Sequence, residues 1–123
     1  MAARVLLLTA VLVAAGSVRA DARSVRLVKV GEFEQPLYVT APPGDADRIF
    51  VVERGGTIRV VAKGETRSRA FLRQPGVSSR NAEQGMLSMA FAPDYAISGR
   101  FYVVFTDTRK DLQLVEYRRS INR

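Results

Sequence analysis

One pattern constrains this chain more than any other: a group of strand and turn signals that occurs twice. The first copy runs Tyr38-Val39-Thr40-Ala41-Pro42, a turn, Arg48-Ile49-Phe50-Val51-Val52, a second turn, and Thr57–Val61. The second runs Met89-Ala90-Phe91-Ala92-Pro93, a turn, Arg100-Phe101-Tyr102-Val103-Val104, a turn, and Leu112–Val115. Ala41-Pro42 and Ala92-Pro93 lie 51 positions apart, and Arg48 and Arg100 lie 52 apart. Three or four antiparallel strands repeated every ~50 residues read as propeller blades. A sandwich of short strands is the competing all-β architecture, and the stretch Met86–Phe91 taken alone fits either. There Leu87, Met89 and Phe91 alternate with small Ser88 and Ala90, and neither face is charged. Both faces are therefore expected to be buried, in the innermost strand around an axis or in a central sandwich strand. The repeat favours the propeller. Propellers typically close with about 4–8 blades, so two copies read as the beginning of something longer.

Read in order, the chain is expected to be antiparallel β throughout. Strands are expected at Val25–Val30, Leu37–Ala41 and Ile49–Glu53, with the last forming a hairpin with Thr57–Ala62 around Arg54-Gly55-Gly56. Arg67–Leu72 is expected as an outer strand, and Arg73–Glu83, with Pro75, Gly76 and Asn81, as a loop. Next come Met86–Phe91, a turn over Pro93–Arg100, Phe101–Thr106 and Leu112–Tyr117. Asp94 is expected to close an Asx turn after Pro93. Glu53 and Arg54 are expected to pair or to cap the hairpin at the surface. No helix longer than about two turns is expected after residue 20.

Residues 1–20 read as a secretory signal peptide. Arg4 supplies the positive n-region, Val5–Ala15 is apolar apart from Thr9, and Val18-Arg19-Ala20 is a small-residue cleavage site. The apolar run is too short for a bilayer, which needs about 20 residues, so no stable membrane span is expected. An exported chain, periplasmic or secreted, beginning at Asp21 is the reading. Loss of Arg4 and Arg19 leaves 17 of the 19 basic residues against 12 acidic ones. They are scattered singly along strands, with no interleaved aromatic platform, which argues against nucleic acid as a partner. The chain has neither cysteine nor histidine. That excludes disulfides and Cys/His zinc sites and removes the commonest general base. Glu83 has no partner carboxylate in its stretch, and no helix start follows Gly55-Gly56 to bind phosphate.

Two motifs in order, FVVERGGTIRVV at Phe50–Val61 and EQGMLSMAFAPDY at Glu83–Tyr95 followed by SGRFYVVFTD at Ser98–Asp107, carry a resemblance. Over Val28–Ser120 the chain resembles the N-terminal portion of the soluble quinoprotein glucose/sorbosone dehydrogenases, the PQQ-dependent aldose sugar dehydrogenases. The resemblance implies a six-bladed β-propeller with pyrroloquinoline quinone over its axis. It further implies a calcium ion polarising the quinone, a histidine base, a sugar substrate and a separate electron acceptor. Residues 21–123 would then be about two blades of that domain. Only Gln84, from E-Q-G, matches a functional position: it is implied to contact the sugar at the mouth of the site. No catalytic residue and no metal ligand maps onto this chain; in the family they lie further along, and residues 21–123 alone are expected to be inactive. Ala92 and Ser88 depart from the family's common His and Gly, at positions that are not catalytic. A non-catalytic propeller that binds a ligand or a protein is the alternative, since fold does not dictate function.

Overall fold

A computed structural model describes residues 25–120. Two antiparallel sheets hold most of them. In the first, β1 (Pro36–Thr40), β2 (Arg48–Glu53) and β3 (Thr57–Ala62) lie in sequence order, and β4 (Glu65–Thr66) and β5 (Leu72–Arg73) share the outer edge of β3. The second is β6 (Met86–Phe91), β7 (Arg100–Thr106) and β8 (Leu112–Arg118). The single helix among the described residues is one turn, α1 (Tyr95–Ser98).

The repeat read in the sequence recurs in the pairing. Thr40 pairs with Phe50 in the first sheet and Phe91 with Phe101 in the second, each pair displaced by 51 residues. The first strand of each sheet also shifts register near its start, between Pro36 and Tyr38 and between Met86 and Ser88. Such bulges twist a strand where it enters a sheet.

The faces that meet between the sheets are apolar at period 2. From β2 come Phe50 and Val52, from β7 Phe101, Val103 and Phe105, all buried, and Ile58, Met86 and Met89 join them. Aromatic rings bind the two sheets together. Phe71 lies 4.8 Å from Phe50 and 4.9 Å from Phe101, and Phe91 is 4.9 Å from Phe50. Edge-on and tilted pairs at such distances add stabilisation beyond area burial.

Four expectations are corrected. Val25–Val30 is not a strand, because no described strand lies alongside it, and Val25 and Leu27 are almost fully exposed. Arg67–Leu72 is not an outer strand: β4 ends before it at Thr66, β5 begins only at Leu72, and the detour between them lays Phe71 against the core. The strand Met86–Phe91 is not buried on both faces: among the described residues it pairs with β7 alone, and Ala90 is exposed. Asp94 forms no Asx turn. Its carboxylate instead accepts from Ser98 Oγ at 2.9 Å and faces Arg100, while its carbonyl accepts the N–H groups of Ile97 and Ser98. The signal peptide expected at residues 1–20 lies outside the described residues.

Candidate functional site at the mouth of β6

Gln84 stands where the loop after β5 delivers the chain into β6. That loop is fixed to both sheets. Gln74 N–H donates to Gly56 O at 2.8 Å, Ser78 N–H to Thr106 O at 2.8 Å, and Thr106 N–H to Gly85 O at 2.9 Å. Met86 N–H reaches across to Arg54 O at 2.9 Å, so the strand begins on the tip of the β2–β3 hairpin.

Arg54 is the bolt at this junction. Its Nε donates to Gln84 O at 2.9 Å and its guanidinium also donates to Asn81 O. The chain presses against it so closely that only glycine fits next. At Gly85, φ is +146°, and a Cβ would sit 2.5 Å from Arg54 Cγ and 2.9 Å from Arg54 O. The glycine of E-Q-G is thus a packing requirement as well as a backbone one.

With its backbone held, the half-buried Gln84 side chain is oriented by Ser78, whose hydroxyl donates to Gln84 Oε1 at 2.7 Å. The Gln84 NH2 group is then what remains to meet a ligand oxygen. Ser78 also lines a cavity of about 330 Å3 that includes Arg80, Thr108 and Lys110. Asp107 stands next to Thr108 of that lining and anchors the β7–β8 turn. Desolvation pulls its carboxyl pKa up, but the N–H groups of Asp111 and Arg109 and the Gln113 amide hold it below the ordinary aspartate value.

Glu53 overturns its surface assignment. It is 5% exposed, accepts Glu34 N–H at 2.9 Å, and faces Arg59 Nε at 3.5 Å, so it pairs across the hairpin rather than with Arg54. The alternation of β2 and β3 explains this, since Val51 pairs with Arg59 and Glu53 is its diagonal neighbour on one face. Ser78 and Arg54 were not singled out as site residues by their sequence context. For Arg54 the E-R-G-G motif was a usable signal; for Ser78, one serine in a loop, there was none. Among the described residues no three His, Cys, Asp or Glu side chains gather as a metal site requires.

Comparison with known proteins decides the family. The sequence model of the Glucose / Sorbosone dehydrogenase family matches residues 33–121. The chain belongs to that family. Among solved structures it is similar to the PQQ-bound form of aldose sugar dehydrogenase from Streptomyces coelicolor, at 29% identity and a TM-score of 0.60. That match covers 76% of this chain and 27% of the other. The two sheets are accordingly antiparallel blades of a β-propeller fold, the architecture of that dehydrogenase. The chain is also 28% identical over 87 residues to Hedgehog-interacting protein of Homo sapiens, covering 66% of this chain and 12% of that protein. The mouse protein matches at 28% over 82 residues. The chain therefore spans about an eighth of the curated relatives and about a quarter of the solved dehydrogenase.

Proposed function

We propose that these residues form part of an exported quinoprotein sugar dehydrogenase that oxidises aldose sugars and passes the electrons to PQQ. The observation that carries the reading is the likeness to a PQQ-bound aldose sugar dehydrogenase across three quarters of this chain. In this reading Gln84 binds the sugar at the mouth of β6. Its amide donates a hydrogen bond to a hydroxyl oxygen, and Ser78 and Arg54 fix its direction. The donor set described here, one amide with neighbouring serine and arginine, does not fit a quinone and calcium site, so no residue of this chain is assigned to hold either group.

The test is to load the protein that carries these residues with PQQ and calcium and to follow dye reduction with glucose and other aldoses. Gln84→Ala is expected to raise KM about tenfold, the loss of roughly one hydrogen bond made in a desolvated site. Sugar-independent dye reduction, or an unchanged KM, overturns the reading. A second reading, a propeller that binds a protein partner without catalysis, is favoured by the likeness to Hedgehog-interacting protein, whose name records an interaction with Hedgehog. Failure of the protein to take up PQQ would favour it.

A further inference from the structure

A cavity of about 560 Å3 opens between the two sheets at the end opposite Gln84. It lies where β1 and β3 end, β2 begins, and α1 leads into β7, whereas Gln84 lies where β6 begins. Both sheets contribute to its wall. Four cationic side chains reach it from separate segments: Arg48, Lys63, Arg67 and Arg119. Two carboxylates stand with them, Asp45 and Asp47.

Arg48 is already neutralised. Asp45 Oδ2 accepts from its Nε at 2.6 Å and lies 2.5 Å from Nη2. Lys63, Arg67 and Arg119 remain against Asp47, and none of the three makes an ion pair among the described residues. Uncompensated charge of one sign around a concavity concentrates potential there and attracts the opposite charge. Guanidinium groups are matched to phosphate and carboxylate oxygens.

The second observation is independent of charge. Tyr95 lines the same cavity at 2% exposure, and its buried hydroxyl has the Arg119 guanidinium nearby, which can only donate, so its O–H proton meets no acceptor among the described residues. Buried hydroxyls without an acceptor are rare in native proteins. Desolvation pushes the Tyr95 pKa up, so the group stays a neutral donor around pH 7. The Arg119 guanidinium lies 5.3 Å from the Tyr95 ring centroid, which brings a cation and an unused donor within reach of one ligand.

We propose that this cavity binds a small oxyanion, a phosphate- or carboxylate-bearing compound, through Lys63, Arg67 and Arg119 with the Tyr95 hydroxyl as a further donor. The site is separate from the sugar mouth and does not depend on it.

The test is a titration of the full chain with pyrophosphate and, separately, with citrate, at constant ionic strength set by chloride and followed by amide NMR shifts. Saturable binding at one site is expected, with the largest shifts at Lys63, Arg67, Tyr95, Ala96 and Arg119. The tighter of the two titrants identifies phosphate or carboxylate chemistry. Arg67→Gln and Arg119→Gln are each expected to weaken binding about tenfold, the loss of one charge-assisted hydrogen bond. Tyr95→Phe is expected to weaken binding severalfold while leaving the anion-free protein as stable as before or more so, because it removes an unsatisfied group. Arg109→Gln, in the β7–β8 turn beside the other cavity, is expected to change nothing. Shifts that never saturate and spread over basic residues generally would overturn the proposal. So would an affinity untouched by Arg67→Gln and Arg119→Gln, or a Tyr95→Phe that destabilises the anion-free protein and leaves binding intact.

Discussion

Glu53 shows how one residue's chemistry is decided by its neighbours. A carboxylate at 5% exposure is tolerable only when bonded, and here Glu34 N–H and Arg59 meet its two oxygens. Glu53→Ala is expected to cost about 1–3 kcal/mol, since it leaves a buried donor unmade. Glu53→Gln should cost less because the amide oxygen still accepts. Urea midpoints at unchanged m-value measure both. Gly85→Ala is expected to cost at least about 1–3 kcal/mol in the same assay, from positive φ alone, with the contact on Arg54 adding to it.

Three carboxyl groups set the acid response. Asp45 is held below the ordinary aspartate pKa by the hydrogen bond from Arg48, Asp94 by that from Ser98, and Asp107 by its turn N–H groups against desolvation. Because the folded pKa values lie lower, the unfolded chain binds protons first on acidification. The stability they contribute is present above about pH 4, the ordinary aspartate range, and is lost as pH falls through the depressed values. Asp45→Asn is expected to flatten the dependence of the urea midpoint on pH across that window, and an unchanged slope would refute the assignment.

At the scale of elements, the loop from Gln74 to Gly85 contains no strand, only the isolated bridge of Val77 to Asp107, and is made rigid by its attachments. Arg54 supplies the bonds to Gln84 O and Asn81 O from the opposite hairpin. Removing it frees two carbonyls, and hydrogen bonds to a charged group are worth about 1.5–3 kcal/mol each. Arg54→Ala is therefore expected to raise amide exchange at Gly85 and Met86 by at least tenfold, while exchange in the middle of β7 changes only with global stability. Equal acceleration in both places would mean that Arg54 supports the whole fold and not the mouth.

For the whole molecule, the two sheets share one core, yet each leaves apolar residues uncovered. Leu112 and Leu114 on β8 are 66% and 70% exposed, and Leu37 and Val39 on β1 are also open. Exposed apolar patches and strand edges promote association. Residues 21–123 made alone are expected to self-associate, and Leu112→Lys with Leu114→Lys to shift them toward monomer in size-exclusion chromatography. The same segment, given PQQ, calcium and glucose, is expected to give no dye reduction above the cofactor control, for it has no histidine and one candidate sugar contact.

Local chemistry sufficed for the hairpin at Glu53–Thr57, the strand Met86–Phe91 and the 51-residue repeat. Turn residues and period-2 alternation act between neighbours in the chain. Gln84 is singled out only by the resemblance that its E-Q-G motif carries, not by these local signals. What they could not convey was pairing between distant segments. Val25–Val30 alternates as well as any strand but has no described partner, and Phe71 leaves its strand for rings contributed by residues 20 or more positions away. The burial of Glu53, the seating of Gly85 on Arg54 and the grip of Ser78 on Gln84 all arise where one sheet meets the other or the loop between them. A sequence specifies which residues can pair; only the packed sheets, by bringing Arg54 to Gln84 across 30 residues, decide which of them do.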